Sequence, residues 1–74
     1  MTVVPVDEPW RAAELAAAGV PVVVAGPDAA TVAVLVVSLR KRGAVAAAYV
    51  GAAGDPGAVE MARELFAAVP EAEP

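Results

Sequence analysis

The residues best suited to chemistry are three aspartates, Asp7, Asp28 and Asp55, each of which precedes a stretch of helix-forming residues. If those stretches follow parallel strands, the three carboxylates meet at one rim of a sheet, where such a cluster can hold a hard cation. Each aspartate also stands where a helix N-cap is expected. We favour capping for all three and predict no metal site.

A glycine-rich loop, GAAGDPG at 51–57, is the best candidate for ligand binding. Its glycines would let the backbone approach a ligand, and a helix N-terminus behind it could hold an anion. The loop matches neither the Walker A pattern nor GxGxxG, and it lacks a phosphate-binding lysine, so ordinary turn chemistry is the favoured interpretation. The candidate ligand-binding residues at this rim are Gly26, Asp28, Gly51, Gly54, Asp55 and Gly57.

The chain has few residues of the types that usually carry out catalysis. There is no His and no Cys, which excludes a Cys/His zinc site and the Ser–His and Cys–His pairs of nucleophilic catalysis. Lys41, the single lysine, lies between Arg40 and Arg42 at an expected solvated helix end, and Ser38 has no base within its turn. We therefore expect no enzymatic activity and no cofactor.

Composition narrows the class of protein. The net charge of −4 argues against nucleic-acid binding. Hydrophobic residues make up 59% of the 74 residues, but no stretch is long enough to span a membrane, and the N-terminus does not resemble a signal peptide. We expect a cytoplasmic protein with no membrane partner.

Apolar runs alternate with helix-forming stretches along the whole chain. Strands are predicted at 2–6, 20–25 and 44–50, because continuous apolar runs of this length are typical of strands buried on both faces. Helices are predicted at 10–18 and 29–42 and again after Asp55, with Gly19 and Gly43 ending the first two. The order β-α-β-α-β-α predicts an α/β fold, a small three-stranded parallel Rossmann-like sheet.

The run AATVAVLVVSL at 29–39 is ambiguous. A helix is favoured because the stretch to Gly43 is too long for a typical strand, whereas a hairpin with 20–25 is the alternative. At ~100° per residue, the valines of such a helix point in divergent directions, so at least one of Val34 and Val37 should lie between chains. Trp10 and Tyr49 are candidates for the core, which is favoured, or for an interface. The predicted interface residues are Val32, Val34, Val36, Val37 and Trp10.

The last helix is amphipathic in sequence and ends at Pro70, with 1–70 as one domain and 71–74 as a frayed tail. Its predicted apolar face consists of Val59, Ala62, Leu65, Phe66 and Val69.

Two family resemblances support the α/β expectation. The stretch AAELAAAGVPVVVAGPDAATVAVLVVSLRKRGAVAAAYVGA resembles the cobalamin-binding-type domain of methylmalonyl-CoA mutases, above all that of their non-catalytic small subunits. Asp28 matches the aspartate of that family's polar turn. The family's Asp-x-His-x-x-Gly signature is absent, so the resemblance implies the fold without histidine-ligated cobalamin.

The stretch from VVVAGPDAATV to AVEMARELF is also similar to the N-terminal half of short-chain dehydrogenases. Asp55-Pro56 and Ala58-Val59-Glu60 lie where that family commonly has a DP-x-AVE stretch. The glycine-rich nucleotide loop and the Tyr-x-x-x-Lys pair are missing, so this resemblance also implies a fold and no activity.

Two functions remain open. The favoured one is a non-catalytic protein-interaction module, either a homo-oligomer or a small accessory subunit of a larger enzyme, because a chain of 74 residues can bury only part of its apolar surface by itself. The partner would be the chain itself or a larger protein subunit. The alternative is a small-ligand or nucleotide-binding domain that uses the loop Gly51–Gly57.

Overall fold

Three short parallel strands form one sheet in the order β1-β2-β3. A computed structural model describes residues 3–68, so the predictions for Thr2, Val69, Pro70 and the tail 71–74 lie outside the described residues. The strands are β1 (Val3–Pro5), β2 (Val22–Gly26) and β3 (Ala46–Val50). The predicted α/β class and parallel topology are confirmed, with each strand shorter than its apolar run.

Helices alternate with the strands, as predicted. They are α1 (Pro9–Ala17), α2 (Ala29–Lys41) and α3 (Pro56–Ala68). Gly19 and Gly43 follow α1 and α2 with φ of 81° and 87°, the left-handed conformation that commonly ends a helix. Residues 29–41 are helical, which excludes the alternative of a hairpin with β2.

The predicted cap of α1 is wrong. Glu8, not Asp7, is the N-cap residue, and its side chain caps no backbone N–H. Instead, a Glu8 carboxylate oxygen lies 3.0 Å from the Arg11 guanidinium. Pro9 is the first residue of the helix, where its missing N–H costs nothing. The helix therefore begins one residue later than it would with Asp7 as the N-cap.

The two faces of the sheet are covered by different helices. Val22 and Val24 point towards α1 and α2 and join a core with Val32, Val36 and Leu39. Side chains alternate along a strand, so Val23 and Ala25 point to the opposite face, which α3 covers with the buried Ala58 and Ala62. All five residues of β2 are buried, as expected for a central strand covered on both faces.

The buried side of α3 matches its predicted apolar face in part: Ala62 is buried and Val59 and Leu65 are half-buried, but the prediction is wrong for Phe66. Ala58 and Ala62 are buried, whereas Phe66 is 62% exposed. Small side chains suit a helix that lies close to a sheet, and the rotation that buries both alanines turns Phe66 towards solvent. Within residues 3–68, no helix is both long enough and apolar enough to cross a membrane.

Candidate functional site

The loops at the carboxyl ends of the strands meet at one rim, as predicted from the parallel topology. Gly26 is buried at the end of β2, and Asp28 is exposed two residues later. The loop 51–55 follows β3 and leads into α3. The candidate ligand-binding residues therefore share one side of the molecule, and their internal contacts decide what they can do.

Asp28 caps α2. Its Oδ2 accepts hydrogen bonds from the Thr31 hydroxyl at 2.7 Å and from the Thr31 backbone N–H at 3.3 Å. The side-chain hydrogen bond from Thr31, reinforced by the backbone one, lowers the pKa of Asp28 below its ordinary value. The carboxylate thus satisfies an otherwise unpaired N–H of the first turn, which confirms the capping interpretation.

Asp55 closes the loop that precedes α3. Its Oδ2 accepts hydrogen bonds from the Tyr49 hydroxyl and from the Ala52 backbone N–H, each at 3.3 Å. Burial raises the pKa of Tyr49 above its ordinary value, and the charge of Asp55 and their hydrogen bond add to this. The carboxylate binds its own loop, and its backbone carbonyl begins α3 by accepting the N–H groups of Ala58 and Val59.

The glycines at the rim make room for the protein's own side chains. A Cβ added to Gly26 would lie 2.6 Å from Val6 Cγ1 and 2.8 Å from Val32 Cγ2. One added to Gly57 would lie 2.7 Å from the Tyr49 hydroxyl oxygen, while Gly54 has nothing within 4 Å. Gly26 and Gly57 are therefore needed for internal packing, and Gly54 only lines an open turn.

The described part of the chain contains no group of three or more His, Cys, Asp or Glu residues placed to hold a metal ion. In the described rim, then, Asp7, Asp28 and Asp55 do not converge as a carboxylate cluster. Asp28 and Asp55 instead each bind a separate turn.

The outer side of α2 is apolar and uncovered. Val34 is 70% exposed and Val37 is 51% exposed, and together with Ala33, Ser38 and Lys41 they line a shallow groove. Val32 and Val36 were predicted at the interface, but both are buried in the domain's own core. The prediction that the four valines cannot share one environment is confirmed, and the helix rotation sorts them into two inner and two outer residues.

The free edge of β3 lies beside this helix. The Val22 N–H donates to the Val45 carbonyl, and the Gly51 N–H donates to the Gly26 carbonyl. Backbone groups alternate in direction along a strand, so those of Ala46, Ala48 and Val50 point away from β2. The side chains of Ala48 and Val50 are both exposed.

Arg40 joins the helix to this edge. Its Nε donates a hydrogen bond of 2.9 Å to the Ala46 carbonyl, which places the Arg40 side of α2 above the outer edge of β3. Ala33 and Val37 lie on the same side of the helix, seven and three residues earlier. We use the name α2–β3 surface for the exposed apolar residues on the outer side of α2 and on the neighbouring strand β3, which are Ala33, Val34, Val37, Ala48 and Val50.

The β3 half of this surface was not predicted from the sequence. Ala48 and Val50 look like ordinary core residues of an apolar strand, and only the strand order shows that β3 is an edge. A usable signal was the lack of charge and proline throughout Ala46–Val50. Trp10, for which the core was favoured, is 64% exposed near the start of α1, away from the core.

Comparisons with protein-family models, with curated proteins and with solved structures gave no significant match. The two family resemblances therefore stay predictions. The fold is that of a small Rossmann-like α/β domain, and its function has to be inferred from its own geometry.

Proposed function

We propose that this protein is a non-catalytic protein-interaction module and that it associates through the α2–β3 surface. The observation that carries the proposal is the pair of outward valines on α2, Val34 and Val37, which are 70% and 51% exposed. Single exposed apolar residues are common on proteins, but an apolar helix side that adjoins an unpaired strand edge is typical of an interface.

The expected gain from covering this surface is substantial for so small a domain. Burying one valine side chain completely is worth about 1.5–3 kcal/mol. Covering the exposed parts of Val34 and Val37 would therefore contribute about 1–2 kcal/mol each. A domain of this size has a total stability of only about 4–11 kcal/mol, so association would stabilise the fold appreciably.

The contacts at the rim formed by the strand ends support an interaction module over the small-ligand alternative. The carboxylates of Asp28 and Asp55 already accept hydrogen bonds from Thr31, Tyr49 and Ala52. The space beside Gly26 and Gly57 is filled by side chains of the same chain. Neither group of atoms is held ready for a ligand, so no observation favours the alternative of a small-ligand or nucleotide-binding domain.

Native mass spectrometry tests the proposal on the full chain, both purified alone and recovered under mild conditions from its own cell extract. We expect a mass above the 7.3 kDa of one chain in at least one sample. Val34→Asp should return the chain to the monomer mass, because burying a carboxylate at an interface is costly when no group of opposite charge compensates it. Ala67→Asp places the same charge on an exposed position of α3 and should leave the assembly intact.

A chain that is monomeric in both samples would overturn the proposal. So would an assembly that Val34→Asp and Ala67→Asp weaken equally, because association would then not depend on the α2–β3 surface. Circular dichroism on each variant verifies that the helices are retained.

A further inference from the structure

We propose that the partner on the α2–β3 surface is a second copy of this chain, whose β3 pairs antiparallel with β3 to make one six-stranded sheet. This inference rests on the proposed function and names its partner. The twofold axis would run perpendicular to the sheet, between the two copies of β3, and would bring the two α2 helices side by side on one face.

The two edges of the sheet differ in how well they are protected, and the difference selects β3. On β1, Pro5 has no N–H to offer at the outer edge, and its carbonyl already accepts the Glu8 N–H at 3.0 Å. On β3, the outward backbone groups of Ala48 and Val50 have no hydrogen-bond partner among residues 3–68. No charged residue or proline lies within the strand to deter pairing.

Arg40 restricts the register of the added strand. The Ala46 carbonyl at the outer edge already accepts the Arg40 Nε–H at 2.9 Å, so the groups left to pair are those of Ala48 and Val50. A twofold pairing that uses only these places Ala48 opposite Val50 of the second copy, and Val50 opposite Ala48. The residue between them, Tyr49, then lies opposite its own counterpart on the face that carries α3.

The spacing of the layers fits a second copy. Helix α2 contacts both β2 and β3, so its axis lies above the gap between them. With strands about 4.8 Å apart, this axis is about 5 Å from the midline between β3 and the added strand. Two copies of α2 would then lie about 10 Å apart, within the range at which helices pack, with Ala33 and Val37, on the Arg40 side of the helix, at the contact.

The charges on α2 favour a second copy in the antiparallel direction. The helix begins at the exposed Asp28 and ends at the exposed Arg40, Lys41 and Arg42. A twofold axis brings the acidic N-terminal end of one helix towards the basic C-terminal end of the other, and it opposes their dipoles favourably. The same chain therefore supplies both halves of a complementary pair.

Sedimentation of the purified chain over a range of concentrations gives the first test. We expect a reversible change from one to two copies, that is, to twice 7.3 kDa, with no further growth because a twofold contact is closed. A chain that stays monomeric when pure but forms a complex with a different protein in extract would overturn this inference and leave the proposed function standing. A chain that is monomeric under both conditions would overturn both.

Disulfide trapping tests the register, and it is clean because the chain has no native cysteine. Ala48→Cys and Val50→Cys are made separately, mixed and oxidised. Opposite residues lie about 5.5 Å apart between Cα atoms, within bonding range, whereas like residues would be diagonal neighbours at about 7–8 Å. We therefore expect mixed dimers at least several-fold in excess over either like pair.

Ala18→Cys, at an exposed position after α1, is the control for random collision. Mixed dimers at or below its level would overturn the β3 pairing. A dominant Ala48→Cys like pair would overturn the register that Arg40 imposes, because it needs Ala48 opposite Ala48.

Discussion

Val32 and Val34 lie two residues apart on α2 and have the same side chain, yet one is fully buried and the other is 70% exposed. Val36 and Val37 repeat the contrast, with 5% and 51% exposure. The inner valines pack with Leu39 against the sheet, while the outer ones line the shallow groove on the helix surface. The same residue type therefore stabilises the fold on one side of the helix and is available for a partner on the other.

The largest difference in stability between the two sides of α2 is expected when a charge is placed on each side in turn. We expect Val32→Asp to abolish folding, because an unpaired buried carboxylate costs several kcal/mol, comparable with the whole stability of a domain this small. Val34→Asp should keep the helical spectrum and unfold cooperatively. Urea denaturation followed by circular dichroism makes the measurement.

If Val32→Asp yields no protein, the milder pair Val32→Ala and Val34→Ala gives the same comparison. We expect a loss of about 1.5–3 kcal/mol for the first. For the second, measured at a concentration where the chain is monomeric, the loss should stay within about 0.5 kcal/mol. Equal losses at the two positions would contradict the inner and outer assignment.

Gly26, at the end of β2, lies close to the inner valine Val32, so a substitution there tests the same packing from the side of the sheet. A Cβ on Gly26 would lie 2.8 Å from Val32 Cγ2 and 2.6 Å from Val6 Cγ1, so Gly26→Ala should destabilise the fold by about 1–3 kcal/mol. Gly54→Ala is the matched control, since its Cβ would meet nothing within 4 Å and its φ is not positive. Its effect should be neutral, or stabilising by up to about 1 kcal/mol. Thermal melting of both variants reads out the difference, and a neutral Gly26→Ala would show that Val6 and Val32 are loosely packed.

The smallest expected effect concerns the N-terminal end of α2. The pKa of Asp28 is lowered in the folded chain, so its cap contributes stability that is present above the ordinary pKa of an aspartate, near 4, and is lost as pH falls through the folded value. Asp28→Asn keeps a capping oxygen but cannot titrate. The measurement is the urea midpoint of each protein at neutral and at strongly acidic pH. We expect the midpoint to fall less on acidification in Asp28→Asn than in the unaltered chain. An equal fall in both would mean that the cap is insensitive to charge.

The order of elements was predictable because its signals are local. Continuous apolar runs marked the strands, and Gly19 and Gly43 marked the ends of two helices, which they do with φ of 81° and 87°. Asp28 was predictable as a cap for the same reason, since Thr31 lies only three residues away.

What could not be predicted depends on neighbours that are distant in sequence. A helix that is apolar on all sides does not reveal which side meets the sheet, so Val32 and Val36 were grouped with Val34 and Val37. Phe66 fitted the periodicity of α3, but the helix is turned so that Ala58 and Ala62 lie closest to the sheet and Phe66 faces solvent. The hydrogen bond from Arg40 to Ala46 depends on which edge of the sheet is free, and a strand order is not written in any one segment.

The exposure of Trp10 has a consequence for spectroscopy. It is the only tryptophan in the chain, and 64% of it already contacts water in the folded state. Its emission in the folded chain should resemble that of the unfolded chain, so intrinsic fluorescence is a poor reporter of whether the domain has folded. For the same reason, a blue shift in this protein would indicate that something had come to cover the start of α1.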